Sequence, residues 1–239
     1  MIRAVLFDLD NTLIDFMQMK RKSCEAAVEA MIASGLEMSK GKVLEILFEL
    51  YDKYGIEYGM IFQELLKRLT GRVDYRMLAE GVVAYRKGQA ACMRTYPNAK
   101  KTLVGLKAAG IKLAIVSDAP SVNGWIRLVE LGLQDFFDVV VTLHDTGESK
   151  PSPLPFKKAV ERLGVSPGEC LFVGDWVEKD IKGARALGMK TAFARYGAVT
   201  KTGKAGRTRP YRPERSGADY DIDDISEILS LVRQRDLRS

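Results

Sequence analysis

Acidic residues stand close together at two places in this chain, and a hydroxyl and a lysine lie between them. Asp8, Asp10 and Thr12 share the run Asp-Leu-Asp-Asn-Thr, and Ser117-Asp118 closes a second apolar run. Lys150 precedes Pro151, and Asp175 and Asp180 lie in Gly-Asp-Trp-Val-Glu-Lys-Asp. Each feature alone has an ordinary structural reading: an acidic pair can be a turn device, Ser-Asp can start a helix, and a lysine before proline can be a surface residue. Together, at successive strand ends, they would converge on one place. Carboxylates gathered there need a cation, because two unit charges about 5 Å apart repel by about 3 kcal/mol at an effective dielectric near 20. Oxygen ligands with open positions suit Mg²⁺, which keeps waters and reaches a substrate phosphate. Lys150 would add positive charge, and Ser117 with the amides opening the next helix would hold phosphate oxygens. The chemistry such a set allows is phosphoryl transfer.

The elements that must position these residues are legible from apolar patterning. Ala4–Leu9 is a short apolar run broken at Asp8, as in a strand buried on both faces, and similar runs recur at Leu113–Val116, Val139–Val141, Cys170–Val173 and Thr191–Ala194. Helix-length stretches separate them. Pro97 is placed to open one helix, and Gly132, Gly164 and Gly188 follow Ser121–Leu131, Pro153–Leu163 and Val177–Leu187 as helix-ending glycines. Alternation of strand and helix predicts a doubly wound, Rossmann-like parallel sheet, whose ligands bind beyond the carboxyl ends of the strands. Residues 15–94 carry a helical pattern instead, with stripes Cys24/Ala27/Val28/Met31, Leu44/Leu47/Phe48/Tyr51, Phe62/Leu65/Leu66/Leu69 and Tyr75/Leu78/Ala79/Val82. An α/β core of residues 1–14 and 95–239 with an inserted α-helical domain of residues 15–94 is the expected organisation. Residues 197–217 read as a loop, and Asp223 or Asp224 as the cap of a last helix.

Composition narrows the function classes. The chain has 239 residues, 46% hydrophobic and 28% charged, the balance of a globular domain able to bury its own core. Cys24, Cys92 and Cys170 are too sparse for a disulfide framework, and one histidine, His144, removes two-histidine zinc chemistry. No apolar run is long enough to span a membrane, and the N-terminus reaches Asp8 without a secretory segment, so a cytoplasmic location is expected. The net charge of +6 gathers at Lys201, Lys204, Arg207, Arg209, Arg212 and Arg215 and at Arg233, Arg235 and Arg238. With only Tyr211 among the first group, this is read as a solvated loop and tail rather than a nucleic-acid surface.

The ordered set DLDNT (Asp8–Thr12), VSD (Ser117), SKPSP (Lys150) and GDWVEKD (Asp175–Asp180) resembles the four motifs of the haloacid dehalogenase superfamily, and the helical insert resembles its type-one cap. The resemblance spans nearly the whole chain. It implies that Asp8 is the nucleophile forming an aspartyl phosphate, and that Asp10 protonates the leaving oxygen and then deprotonates water. It also implies that Asp8, Asp175 and the backbone carbonyl of Asp10 hold Mg²⁺, that Ser117, Asp118 and Lys150 bind the phosphoryl group, and that Thr12 and Asp180 support them.

Asp10 sets the chain apart from the metal-free dehalogenases, and DLDNT from the DKTGT of ion-pumping ATPases. No lysine of the insert is marked as the Schiff-base residue of a phosphonatase. The expected activity is hydrolysis of small phosphate monoesters, sugar or triose phosphates such as glyceraldehyde 3-phosphate. A sugar-phosphate mutase shares every core residue and is the alternative, as is a receiver-like module that accepts phosphate without turnover. A receiver places its phosphorylated aspartate after strand three, where this chain has Thr142-Leu143-His144 and only then Asp145. The cap would close over the site, with Tyr51, Tyr54 and Tyr58 lining or packing beneath that surface.

Overall fold

The computed structural model describes residues 1–201 and 208–233. The five apolar runs become β1 (Ala4–Phe7), β2 (Lys112–Val116), β3 (Val139–Val141), β4 (Cys170–Gly174) and β5 (Lys190–Ala194). A short ribbon of β6 (Val199–Lys201) and β7 (Thr208–Pro210) follows, and then β8 (Tyr220–Ile222). β1 to β5 and β8 form one parallel sheet in the order β3-β2-β1-β4-β5-β8. The order turns at β1 and β4, so the crevice for a ligand falls beyond their carboxyl ends. Phe7 pairs with Ile115 on one side and Val173 on the other, and the Asp8 N–H continues the ladder to the Val173 carbonyl at 2.9 Å. Register alone therefore sets Asp8, Ser117 and Asp175 next to one another.

The chain divides into two compact units, one of Met1–Asp15, Arg94–Val199 and Pro210–Ser239, the other of Phe16–Met93 with Thr200–Arg209. In the second, α1 (Phe16–Ala33), α2 (Lys40–Tyr54), α3 (Ile61–Thr70) and α4 (Tyr75–Cys92) enclose a core that includes Cys24, Val28, Leu47, Phe48, Leu65 and Leu66. Three of the four stripes face this core as the spacing predicts. The fourth is shifted: Leu78 and Val82 pack against the core only partly buried, Tyr75 is 78% exposed, and the fully buried positions of α4 are Met77 and Gly81. The cause is close approach of α4 to α1, since a Cβ on Gly81 would meet the Met31 side chain and one on Gly88 would lie 3.1 Å from the Ser23 Cα. Tyr51 packs in this core beneath the Lys20 ammonium, 4.4 Å from its ring, while Tyr54 stacks on Tyr58.

In the sheet unit, α5 (Ala99–Ala108), α6 (Ser121–Glu130), α7 (Leu143–Thr146), α8 (Pro153–Leu163), α9 (Lys182–Ala186) and α10 (Ile228–Arg233) accompany the strands. Phe156 of α8 meets Phe172 of β4 edge to face, centroids 5.0 Å apart, within a core of Leu6, Val116 and Val160. Three sequence expectations change. α5 begins at Ala99 rather than at Pro97, with Asn98 in the left-handed region and its amide donating to Asp224 at 2.9 Å. The stretch Val177–Leu187 is a π-turn at Val177–Ile181 running into α9, because Asp180 turns back to accept the Trp176 N–H at 3.0 Å. The supposed loop at 197–217 contains β6 and β7, with residues 202–207, including Lys204 and Arg207, outside the described residues, as are Arg235 and Arg238. Asp224 caps a 3₁₀ turn, Ile225–Glu227, that leads into α10. No helix among the described residues is long and apolar enough to cross a membrane.

Candidate active site

Asp8 stands one residue past the end of β1, nearly buried, with its carboxylate Oδ1 accepting from the Lys150 ammonium at 2.5 Å. Lys150 arrives from the loop after α7, is only 3% exposed, and pairs as well with Asp180 Oδ1 at 2.7 Å. Asp175, one residue past β4, completes a buried cluster in which carboxylate oxygens of Asp8, Asp175 and Asp180 all lie within 4.8 Å of one another. The packing is tight enough that a Cβ on Gly174 would clash with the Asp180 side chain at 2.4 Å. Only glycine leaves room there for the π-turn to bring Asp180 inward.

The electrostatics follow from this crowding. Burial pushes the Asp8 carboxyl up to about 7, against the pull of Lys150, with Asp180 and Asp10 adding repulsion. Burial likewise holds the Asp175 carboxyl well above the usual carboxylate range, reinforced by the charges of Asp8 and Asp180. Burial alone would lower the Lys150 ammonium, yet Asp180, Asp8 and Asp118 keep it above its ordinary value, so the lysine stays charged. If all three carboxylates are ionised, one ammonium leaves two negative charges unbalanced, a repulsion that adds to burial in holding the Asp8 and Asp175 carboxyls up. That surplus, on oxygen donors only, fits a hard divalent cation.

The loop between β1 and α1 is held on several sides. Thr12 is buried and donates its hydroxyl to Asp175 Oδ1 at 3.2 Å, so it orients a neighbouring carboxylate as well as its own loop. Tyr196, after β5, donates to the Thr12 carbonyl at 2.9 Å and meets Tyr96 edge to face. Gly197 lies so close to Asn11 that a Cβ would fall 1.5 Å from the Asn11 carbonyl oxygen. Gly197→Ala must therefore displace the loop that carries Asp8 and Asp10. Misplacement of about 1 Å costs about 10²-fold in rate, so steady-state assays should show kcat down by about that factor. An unchanged kcat would mean the loop moves without cost.

Ser117, buried after β2, accepts the Ala119 N–H at 3.1 Å through its hydroxyl oxygen. Asp118, expected among the phosphate ligands, has a different employment. One carboxylate oxygen accepts the Lys150 backbone N–H at 2.9 Å and the other pairs with Lys179 at 2.7 Å. An anion so engaged braces the Lys150 loop and would repel phosphate. The sequence reading passed over Arg127, whose guanidinium, 2% exposed on α6, donates to Asp10 Oδ2 at 2.6 Å. Its signal was a charge on the buried stripe with Gly124 and Leu128. Asp145, the nearest approach to a receiver's acceptor, is a helix cap, taking the Thr142 N–H and hydroxyl at 2.9 Å.

Comparison with known proteins meets this geometry directly. The sequence profile of the haloacid dehalogenase-like hydrolases matches residues 2–188. The chain belongs to that family. Within it, a glyceraldehyde 3-phosphate phosphatase of Methanocaldococcus jannaschii is 34% identical, over 98% of this chain and 98% of its own. The glyceraldehyde 3-phosphate phosphatase of Methanopyrus kandleri is 36% identical, again over 98% of each chain. Among solved structures, a HAD phosphatase from Thermococcus onnurineus superposes with a TM-score of 0.70 at 28% identity, covering 97% of this chain and 98% of that one. The matched residues 2–188 of this haloacid dehalogenase-like hydrolase include Asp8, Lys150, Asp175 and Asp180.

Proposed function

We propose that this protein is a Mg²⁺-dependent phosphatase that hydrolyses small phosphate monoesters, triose phosphates such as glyceraldehyde 3-phosphate foremost, through an aspartyl phosphate on Asp8. The observation that carries the reading is the buried cluster of Asp8, Asp175 and Asp180 around Lys150. The substrate class is taken from the phosphatases that align with the chain end to end. The sheet unit is the catalytic core in this reading.

The carboxylates of Asp8 and Asp175 and the backbone carbonyl of Asp10 would hold the metal. Bound there, Mg²⁺ would offset the surplus negative charge and that of the phosphate. Asp8 attacks phosphorus with one carboxylate oxygen while the bond from phosphorus to the leaving oxygen breaks. Asp10 gives its proton to that oxygen, so the product departs as an alcohol. Asp10 then takes a proton from water, whose oxygen attacks phosphorus, releasing inorganic phosphate and restoring Asp8. The Lys150 ammonium and the Ser117 hydroxyl hold the non-reacting phosphoryl oxygens. Asp180 and Asp118 keep Lys150 in place, one through its ammonium and the other through its backbone.

The test is phosphate release from glyceraldehyde 3-phosphate and a panel of sugar phosphates, with Mg²⁺ and after chelation by EDTA. Release should require Mg²⁺ and stop with EDTA, and triose phosphates should rank first. Interconversion of sugar phosphates without phosphate release would replace the phosphatase reading with a mutase.

A further inference from the structure

Arg127 is the buried charge that the proposed chemistry has not used. Its side chain is 3% exposed, while that of Asp10, its partner, is 22% exposed. The guanidinium is thus the more deeply buried partner, and it takes one carboxylate oxygen of Asp10, leaving the other, Oδ1, for the proton. The contact at 2.6 Å is short even for a charge-assisted hydrogen bond. It joins the middle of α6 to the loop after β1, two segments 117 residues apart in the chain.

Stability alone is a poor reason for this pair. Removing a guanidinium from water costs several kcal/mol, and apolar residues of similar volume commonly serve a core as well or better. The site on α6 could take such a residue, since Gly124 and Leu128 beside it are buried. What an arginine adds there is a rigid, planar, always charged fork that fixes the direction of a carboxylate. Fixing Oδ2 fixes the plane of the Asp10 carboxylate. Asp10 is otherwise on a loop, and its proton must reach the leaving oxygen within hydrogen-bond range.

We propose that Arg127 is a positioning residue that holds the Asp10 carboxylate in the orientation from which it protonates the leaving oxygen. The inference rests on the phosphatase reading above and assigns to Arg127 a part in one step of it. The step is leaving-group departure, so the effect must depend on how much help the leaving group needs. An alkoxide from a sugar or triose phosphate needs a proton; p-nitrophenolate leaves without one.

Rapid-quench single turnovers with Mg²⁺ measure phosphoryl transfer to the enzyme separately from hydrolysis. For Arg127→Met, transfer from glyceraldehyde 3-phosphate should slow by about 10²-fold, and transfer from p-nitrophenyl phosphate much less. Arg127→Lys, which keeps the charge without the fork, should recover part of the loss. In an Asp10→Ala background, Arg127→Met should add little, because the two act as a unit. Equal slowing with both substrates, or full additivity with Asp10→Ala, would overturn the assignment and leave a purely structural ion pair. If the wild type transfers no phosphoryl group from either substrate, the phosphatase reading fails first, and that outcome is distinct from failure of the Arg127 assignment.

Discussion

Asp8→Asn should lower phosphate release by about 10⁴-fold or more while leaving the fold intact. The amide keeps an oxygen for Lys150, which donates to Asp8 Oδ1, but it is no nucleophile toward phosphorus. Stability should move the other way. Asp8 shares a buried space with Asp175 and Asp180, and burial already holds its carboxyl up near 7. Removing one charge from the three relieves repulsion, so in EDTA the variant should melt above the wild type. Adding Mg²⁺ should narrow or reverse that gap, because the wild type keeps the better ligand set. Loss of activity through unfolding would give the opposite shift in EDTA. Kinetics and melting curves of the same preparation therefore separate a chemical role from a structural one.

Lys150→Met is the second large effect, and here stability and activity should fall together. The ammonium is the counter-charge that the structure shows for the cluster, bonded to Asp8 at 2.5 Å and to Asp180 at 2.7 Å. Breaking a buried pair by removing one partner typically costs about 3–5 kcal/mol, and this lysine serves two carboxylates. Chemical denaturation in EDTA should register a loss of that size. Saturating Mg²⁺ should return part of it, about 2.7 kcal/mol at a hundredfold excess over Kd, without returning activity, since phosphate would lose its cationic ligand. An unchanged denaturation midpoint in EDTA would show that the carboxylates do not depend on Lys150.

Strands β1 to β5 are buried along most of their length and so appear as short, largely apolar runs. β8 lies at the sheet edge, buries only Ile222 of its three residues, and leaves no such run in Tyr-Asp-Ile. The stripes on α1, α2 and α3 were visible because periodicity reports a face. On α4 the face was set by two glycines that let α1 approach, and a glycine carries no hydropathy signal. At the site, Asp8, Lys150 and Asp175 were legible because strand ends of a parallel sheet converge. The pairing of Asp118 with Lys179, the brace of Tyr196 on Thr12, and the bond from Arg127 to Asp10 join residues 61, 184 and 117 positions apart. Contacts of that kind depend on the packing of helices and loops, which local pattern does not encode.

The most direct test of the account is to trap its intermediate. Protein turning over glyceraldehyde 3-phosphate with Mg²⁺ is quenched in acid, digested and examined by mass spectrometry for phosphorylated peptides. One phosphoryl group is expected on Asp8, labile to hydroxylamine as an acyl phosphate is and missing when Mg²⁺ is withheld. Steady phosphate release with no label on Asp8, or with the label on another residue, would contradict it.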